Sequence, residues 1–95
     1  MDWKFEVIDG PYGGVTEGPT WDGTGLLFTH IPSSRIMRYD PQAKNSTVYH
    51  PQSNMANGLA LDSNGLLYAC EGDTRRVVRY QENGASTILA DGFEL

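Results

Sequence analysis

Two short runs carry the side chains best suited to chemistry. Thr16-Glu17-Gly18 and Ala56-Asn57-Gly58 each place an oxygen-bearing side chain directly before a glycine, 40 residues apart. A carboxylate and a carboxamide presented together supply hard oxygen ligands, which suit Ca²⁺, Mg²⁺ or Mn²⁺. The plainer reading makes Glu17 a solvated loop charge and Asn57 a turn former, and short motifs of this kind often arise by chance. Glu71 is a third candidate, either facing a substrate or paired within its loop to Arg75 or Arg76. His30 could accept a proton, but a histidine at a strand edge with no catalytic part is the simpler reading. His50, before Pro51, reads as a solvated turn residue. The lone Cys70 cannot form an internal disulfide, and no Cys/His spacing suggests zinc.

These residues act together only if the elements beneath them converge, and an internal repeat supplies that convergence. At an offset of 40, Gly18, Asp22, Gly25, Leu26 and Leu27 each meet an identical residue, and Phe28 meets Tyr68. One residue is then inserted, after which Arg35-Ile36-Met37-Arg38-Tyr39 lies over Arg76-Val77-Val78-Arg79-Tyr80. Thr47-Val48-Tyr49 matches Thr87-Ile88-Leu89 at the original offset.

Each unit reads as four short strands. The first passes through Thr20–Trp21 or Leu59–Leu61 and ends at an Asp-x-x-Gly turn, where Asp bonds nearby backbone and Gly accepts positive φ. The others are Leu26–Thr29 or Leu66–Cys70, Arg35–Tyr39 or Arg76–Tyr80, and Ser46–His50 or Ser86–Ala90. Eleven Gly and five Pro punctuate them, and no segment has helical periodicity with caps. An all-β chain is therefore expected. A unit of four antiparallel strands matches a β-propeller blade, which runs to roughly 40–45 residues. A small eight-stranded sandwich is the alternative, although a sandwich needs no two-fold self-similarity. In a propeller the innermost strands line one channel, so Glu17 and Asn57 would meet at one mouth. Trp21 and Tyr68 read as packing between blades, and Arg38 and Arg79 as exposed strand faces.

Composition bounds the function. A chain of 95 residues suits one small domain and is too short for a (β/α)₈ barrel or a complete dinucleotide-binding enzyme. Mean hydropathy of −0.42 implies a modest core. Seven basic against twelve acidic residues give a net charge of −5, which argues against nucleic acid or an anionic membrane as partner. Met1-Asp2-Trp3-Lys4-Phe5-Glu6 has no apolar signal-peptide region, so a cytoplasmic location is expected and the sequon Asn45-Ser46-Thr47 reads as chance.

Thr16-Glu17-Gly18-Pro19-Thr20-Trp21, followed by Leu26-Leu27-Phe28-Thr29-His30-Ile31-Pro32-Ser33-Ser34-Arg35-Ile36, resembles the opening blade of the senescence-marker-protein/gluconolactonase family. Ala56-Asn57-Gly58-Leu59-Ala60-Leu61-Asp62 and Cys70-Glu71-Gly72-Asp73-Thr74-Arg75-Arg76-Val77 resemble its next blade. The likeness runs from about Val7 to the C-terminus. It implies a six-bladed propeller that hydrolyses a small-molecule sugar lactone with one divalent cation (Ca²⁺, Zn²⁺, Mn²⁺ or Mg²⁺). It makes Glu17 a metal ligand and puts Asn57 and Glu71 along the channel. The family's further Asn and Asp ligands, the Asp also its general base, belong to later blades. His30 stands where Asp is common and Gly72 where His often follows Cys-Glu.

The resemblance divides the chain into an N-terminal closing strand and loop (1–16), a first blade (17–56) and a second blade (57–95). Trp3–Ile8 is the strand expected to pair with the last blade of a complete ring. The chain is accordingly expected to be the N-terminal portion of a lactonase, with little activity alone. The alternative is a non-catalytic binding or assembly module in which three copies complete a homotrimeric ring, presenting three Glu17 and three Asn57 at one mouth.

Overall fold

A computed structural model describes residues 3–92. They form two four-stranded antiparallel sheets, with one turn of 3-10 helix over Ile31–Ser33 as the helical content. The first sheet runs in the order β1 (Thr16–Trp21), β2 (Leu26–His30), β3 (Arg35–Asp40) and β4 (Asn45–His50). The second repeats it with β5 (Ala56–Leu61), β6 (Leu67–Glu71), β7 (Arg76–Tyr80) and β8 (Ser86–Asp91). Neighbours in sequence are neighbours in each sheet, so every connection is short and every sheet is a meander.

The pairing registers correct the repeat alignment at one point. Leu26 faces Tyr39 in the first sheet, and Leu67, not Leu66, faces Tyr80 in the second. The inserted residue therefore lies in the turn before β6 rather than after it. Asp22 N–H closes the first turn on the Gly25 carbonyl, whereas Asp62 N–H reaches one residue further, to Leu66. Leu27, Thr29 and His30 consequently correspond to Tyr68, Cys70 and Glu71. The β7–β8 turn is one residue shorter than its counterpart, which restores the original offset in the fourth strand.

One face of the first sheet packs on the second. Leu27 and Ile36 meet Ala56, Leu67, Ala69, Val78 and Tyr80 in a single buried cluster, with Leu59 and Leu61 packed at its side. Alternation along the strands explains the choice: Leu27 and Thr29 point inward from β2, and Leu67, Ala69 and Glu71 from β6. The inner strands β1 and β5 approach closely. Gly18 has φ of 63°, and a Cβ there would run into the Asn57 carbonyl oxygen. Glycine is required on both counts.

The opposite face of the first sheet carries Phe28, His30, Met37 and Tyr39, and the chain before β1 crosses it. Tyr12 packs edge-on against Phe28 with centroids 5.5 Å apart, and the Ser46 hydroxyl donates to the Asp9 carboxylate. Residues 3–8 are irregular here, with Trp3, Phe5 and Val7 77%, 92% and 88% exposed, so the expected closing strand has no partner among the described residues. Met1, Asp2 and the last three residues of the second blade lie outside the described residues.

Candidate functional site

The meander topology places the starts of β1 and β5, and the β2–β3, β4–β5 and β6–β7 loops, at one end of the molecule. Glu17 and Asn57 stand at this mouth, both exposed. Their backbones are fastened together by a residue that sequence reasoning missed as functional. The hydroxyl of fully buried Thr29 lies 3.1 Å from the Glu17 carbonyl oxygen and 3.3 Å from that of Asn57. A second tie comes from Ser34, whose carbonyl accepts from Ser53 N–H at 2.8 Å and whose Oγ accepts from Met55 N–H at 3.1 Å. A threonine inside an otherwise apolar strand was the available signal, since buried hydroxyls need partners. The Glu17 carboxylate itself accepts a bond from its neighbour Gly18 N–H at 3.2 Å and otherwise projects outward.

Glu71 has different surroundings from those expected. It is 6% exposed, and Asn54 Nδ2 donates to one carboxylate oxygen at 3.1 Å while the Thr74 hydroxyl donates to the other at 2.7 Å. Neither Arg75 nor Arg76 pairs with it, and Arg76 is bound instead to Asp91 at 2.9 Å. Glu71 thus braces the β4–β5 loop against the β6–β7 loop. Backbone bonds reinforce the brace, from Gly72 N–H to Met55 O at 3.1 Å and from Asp73 N–H to Asn54 O at 3.0 Å. Burial, then the charge of Glu71, pushes the Tyr80 phenol up to about 12, so it stays protonated at neutral pH.

The remaining candidates fall into place around this frame. His30 has both ring nitrogens engaged, by Ser33 Oγ and the Gly13 carbonyl, each at 2.7 Å. His50 is half-buried, with its ring 4.3 Å from that of Tyr80, and is not a freely solvated turn residue. Trp21 is 57% exposed and does not pack between the two sheets. Arg38 is held at 2.7 Å by Asp22 rather than standing free. Tyr68 donates to Asp62 at 2.9 Å on the open face of the second sheet, where Cys70 is also exposed.

The described residues do not by themselves fit a divalent cation. No group of three or more His, Cys, Asp or Glu converges among them. Glu17 contributes one carboxylate, whereas a hard cation takes about six oxygens.

Two matched four-stranded meanders, packed face to face with their inner strands leading to one mouth, are successive blades of a β-propeller. The chain belongs to the SMP-30/gluconolactonase/LRE-like family, whose sequence model matches residues 15–94. A structure of a gluconolactonase from Xanthomonas campestris, described as important in glucose secondary metabolic pathways, superposes with a TM-score of 0.75 at 22% identity. The match covers 82% of this chain and 26% of that one. A second X-ray structure, of a provisionally assigned gluconolactonase, gives 0.70 at 27% identity over 83% of this chain and 28% of its own. The chain therefore spans about a quarter of the length of the solved structures it matches. No curated protein matches the sequence significantly.

Proposed function

We propose that this chain supplies two adjacent blades of a sugar-lactone hydrolase. Glu17 contributes one oxygen ligand to a divalent cation at the channel mouth, and Asn57 lines the channel beside it. The observation that carries this reading is the shared Thr29 hydroxyl, which holds equivalent positions of two blades at one mouth. Family membership supports a lactone ring opened by water as the reaction. Further blades complete the ligand set and provide the general base.

An apolar surface supports the second sheet as the place where a further blade would join. The outward face of the second sheet leaves an apolar hollow of about 310 Å³ lined by Leu59, Ala60, Tyr68, Cys70 and Val77, among others. Tyr68, Cys70 and Val77 occupy the positions of Leu27, Thr29 and Ile36, which the neighbouring blade covers completely in the first sheet. The covering blade comes from the same polypeptide or from another copy.

Gluconolactone hydrolysis, followed with and without Ca²⁺, Mn²⁺ or Zn²⁺, tests the reading. The chain alone is expected to add little to the spontaneous rate. Joined to the four remaining blades of a homologous gluconolactonase, it should support metal-dependent turnover that Glu17→Gln abolishes. Turnover by the hybrid that is indifferent to Glu17→Gln would remove Glu17 from the site.

A further inference from the structure

We infer that residues 9–15 form a displaceable strap on the outer face of the first sheet. Its release lets a second copy of this chain dock there with the open face of its second sheet. Mass and thiol reactivity report this contact, so it stands apart from the lactonase reading. The strap crosses the sheet on a diagonal. At the corner remote from the mouth the Ser46 hydroxyl donates to the Asp9 carboxylate, which also accepts from the Tyr12 hydroxyl. Over the middle, the Tyr12 ring packs against Phe28 and His30 with centroids 5.5 and 5.3 Å away. At the mouth His30 Nε2 donates to the Gly13 carbonyl at 2.7 Å, and Ile31 N–H donates to that of Val15 at 3.2 Å. Met37 and Tyr39, on the same face, are buried although they lie outside the core between the sheets.

The cover is thin. Tyr12 is half-buried and every other residue of the strap is exposed, so lifting it gives up a few bonds that water replaces. It is also incomplete. Trp21 stays 57% exposed on this face, whereas Leu61, its counterpart by pairing register, packs against the core between the sheets. Gly10 and Gly14, with φ of 116° and 88°, set the course of the strap. A Cβ on Gly14 would lie 2.5 Å from the Pro32 side chain, so the strap keeps its place only while that residue is bare.

The seam inside the chain identifies the occupant. There Leu27 and Ile36 are covered by Ala69, Val78 and Tyr80 of the second sheet. The registers put Phe28, Met37 and Tyr39 in the places of Ala69, Val78 and Tyr80, so the strapped face is a bulkier edition of a surface that already covers a sheet. The open face repeats its own counterpart, with Tyr68, Cys70 and Val77 for Leu27, Thr29 and Ile36. Its small residues Gly58, Ala60 and Cys70 leave a hollow of about 310 Å³. Larger side chains on one surface meet a hollow on the other, as close packing requires. The contact is head-to-tail, one copy's second sheet on the next copy's first. By the same repeat it sets the second copy's Glu17 beside Asn57, so the neighbour lends a carboxylate to the mouth.

Sedimentation velocity on the full chain, over a series of concentrations, tests the strap. Tyr12→Ser removes its packing, and Gly14→Ala forces it off Pro32 without altering either docking face. Each should lower the concentration at which copies associate about tenfold, the scale of one lost aromatic contact, while Tyr12→Phe stays near the parent. Adding Val77→Lys to either variant should cancel the effect. Cys70 should react more slowly with a thiol reagent as association proceeds. Association unchanged by both Tyr12→Ser and Gly14→Ala would overturn the inference. So would association that ignores Val77→Lys or leaves Cys70 fully reactive, since another surface would then be in contact. Loss of strand structure in both strap variants, seen by circular dichroism, would overturn it as well, because a segment the fold requires is not displaceable.

Discussion

At the scale of single residues, the two blades show how much a mouth depends on groups that never touch a ligand. Glu17 and Asn57 carry the candidate chemistry, but Thr29 decides where their backbones lie. Thr29→Val keeps the shape and removes the one O–H that the Glu17 and Asn57 carbonyls share. The expected cost is about 1–3 kcal/mol in urea denaturation, with Thr29→Ser recovering most of it. A valine variant as stable as the parent would show that the hydroxyl fastens nothing. Glu71 follows the same logic. Its type and position suggested a ligand-facing carboxylate, whereas Asn54, 17 residues earlier, and Thr74 turn it into a brace. No local pattern around Glu71 announces a partner that distant, which is why burial was illegible while the motif was plain.

At the scale of elements, eight strands and their order were legible because Asp-x-x-Gly turns and short apolar runs recur in step. The register of β6 was not. Setting Leu66-Leu67 on Leu26-Leu27 gives the better match of residue types, yet the longer turn closed by the backbone bond from Asp62 to Leu66 moves the pairing one residue on. The longer turn changes its chemistry as well as its length. In the first blade Arg38 Nε holds Asp22 and, with the Thr24 and Gly25 amides, keeps its carboxyl well below the usual range against the opposing pull of burial. In the second, Asp62 takes the Leu66 and Asn64 amides and the Tyr68 hydroxyl, and the buried Arg79 Nε has no partner. A carboxyl whose folded pKa is depressed contributes stability that is complete above its unfolded value, about 4, and lost as pH falls through the folded one. Arg38→Gln should therefore raise the pH of acid unfolding, followed by circular dichroism, and Arg79→Gln should raise it less. Equal shifts would mean that the two turns are electrostatically alike.

At the scale of the whole molecule, the two ends of the stack are unequal. The outer face of the first sheet is crossed by the segment around Tyr12, while Tyr68, Cys70 and Val77 leave the second open. Repeat arrays generally need at least three units to cover their faces. Light scattering should accordingly find association that grows with concentration and that Val77→Lys reduces. A stable trimer that takes up Ca²⁺ or Mn²⁺ would favour a ring of copies, and open-ended aggregation would favour blades missing from the chain. A monodisperse monomer indifferent to Val77→Lys would dismiss this face as a seam. The extra residue in the β5–β6 turn has a further consequence, because it and the compensating loss before β8 both lie at the end remote from the mouth. Length is thus editable along one rim and not the other. A peptide tag or a reporter domain spliced beside Asn64 or Asn83 would hang from the rim where the two repeats already differ in length, leaving the mouth opposite undisturbed.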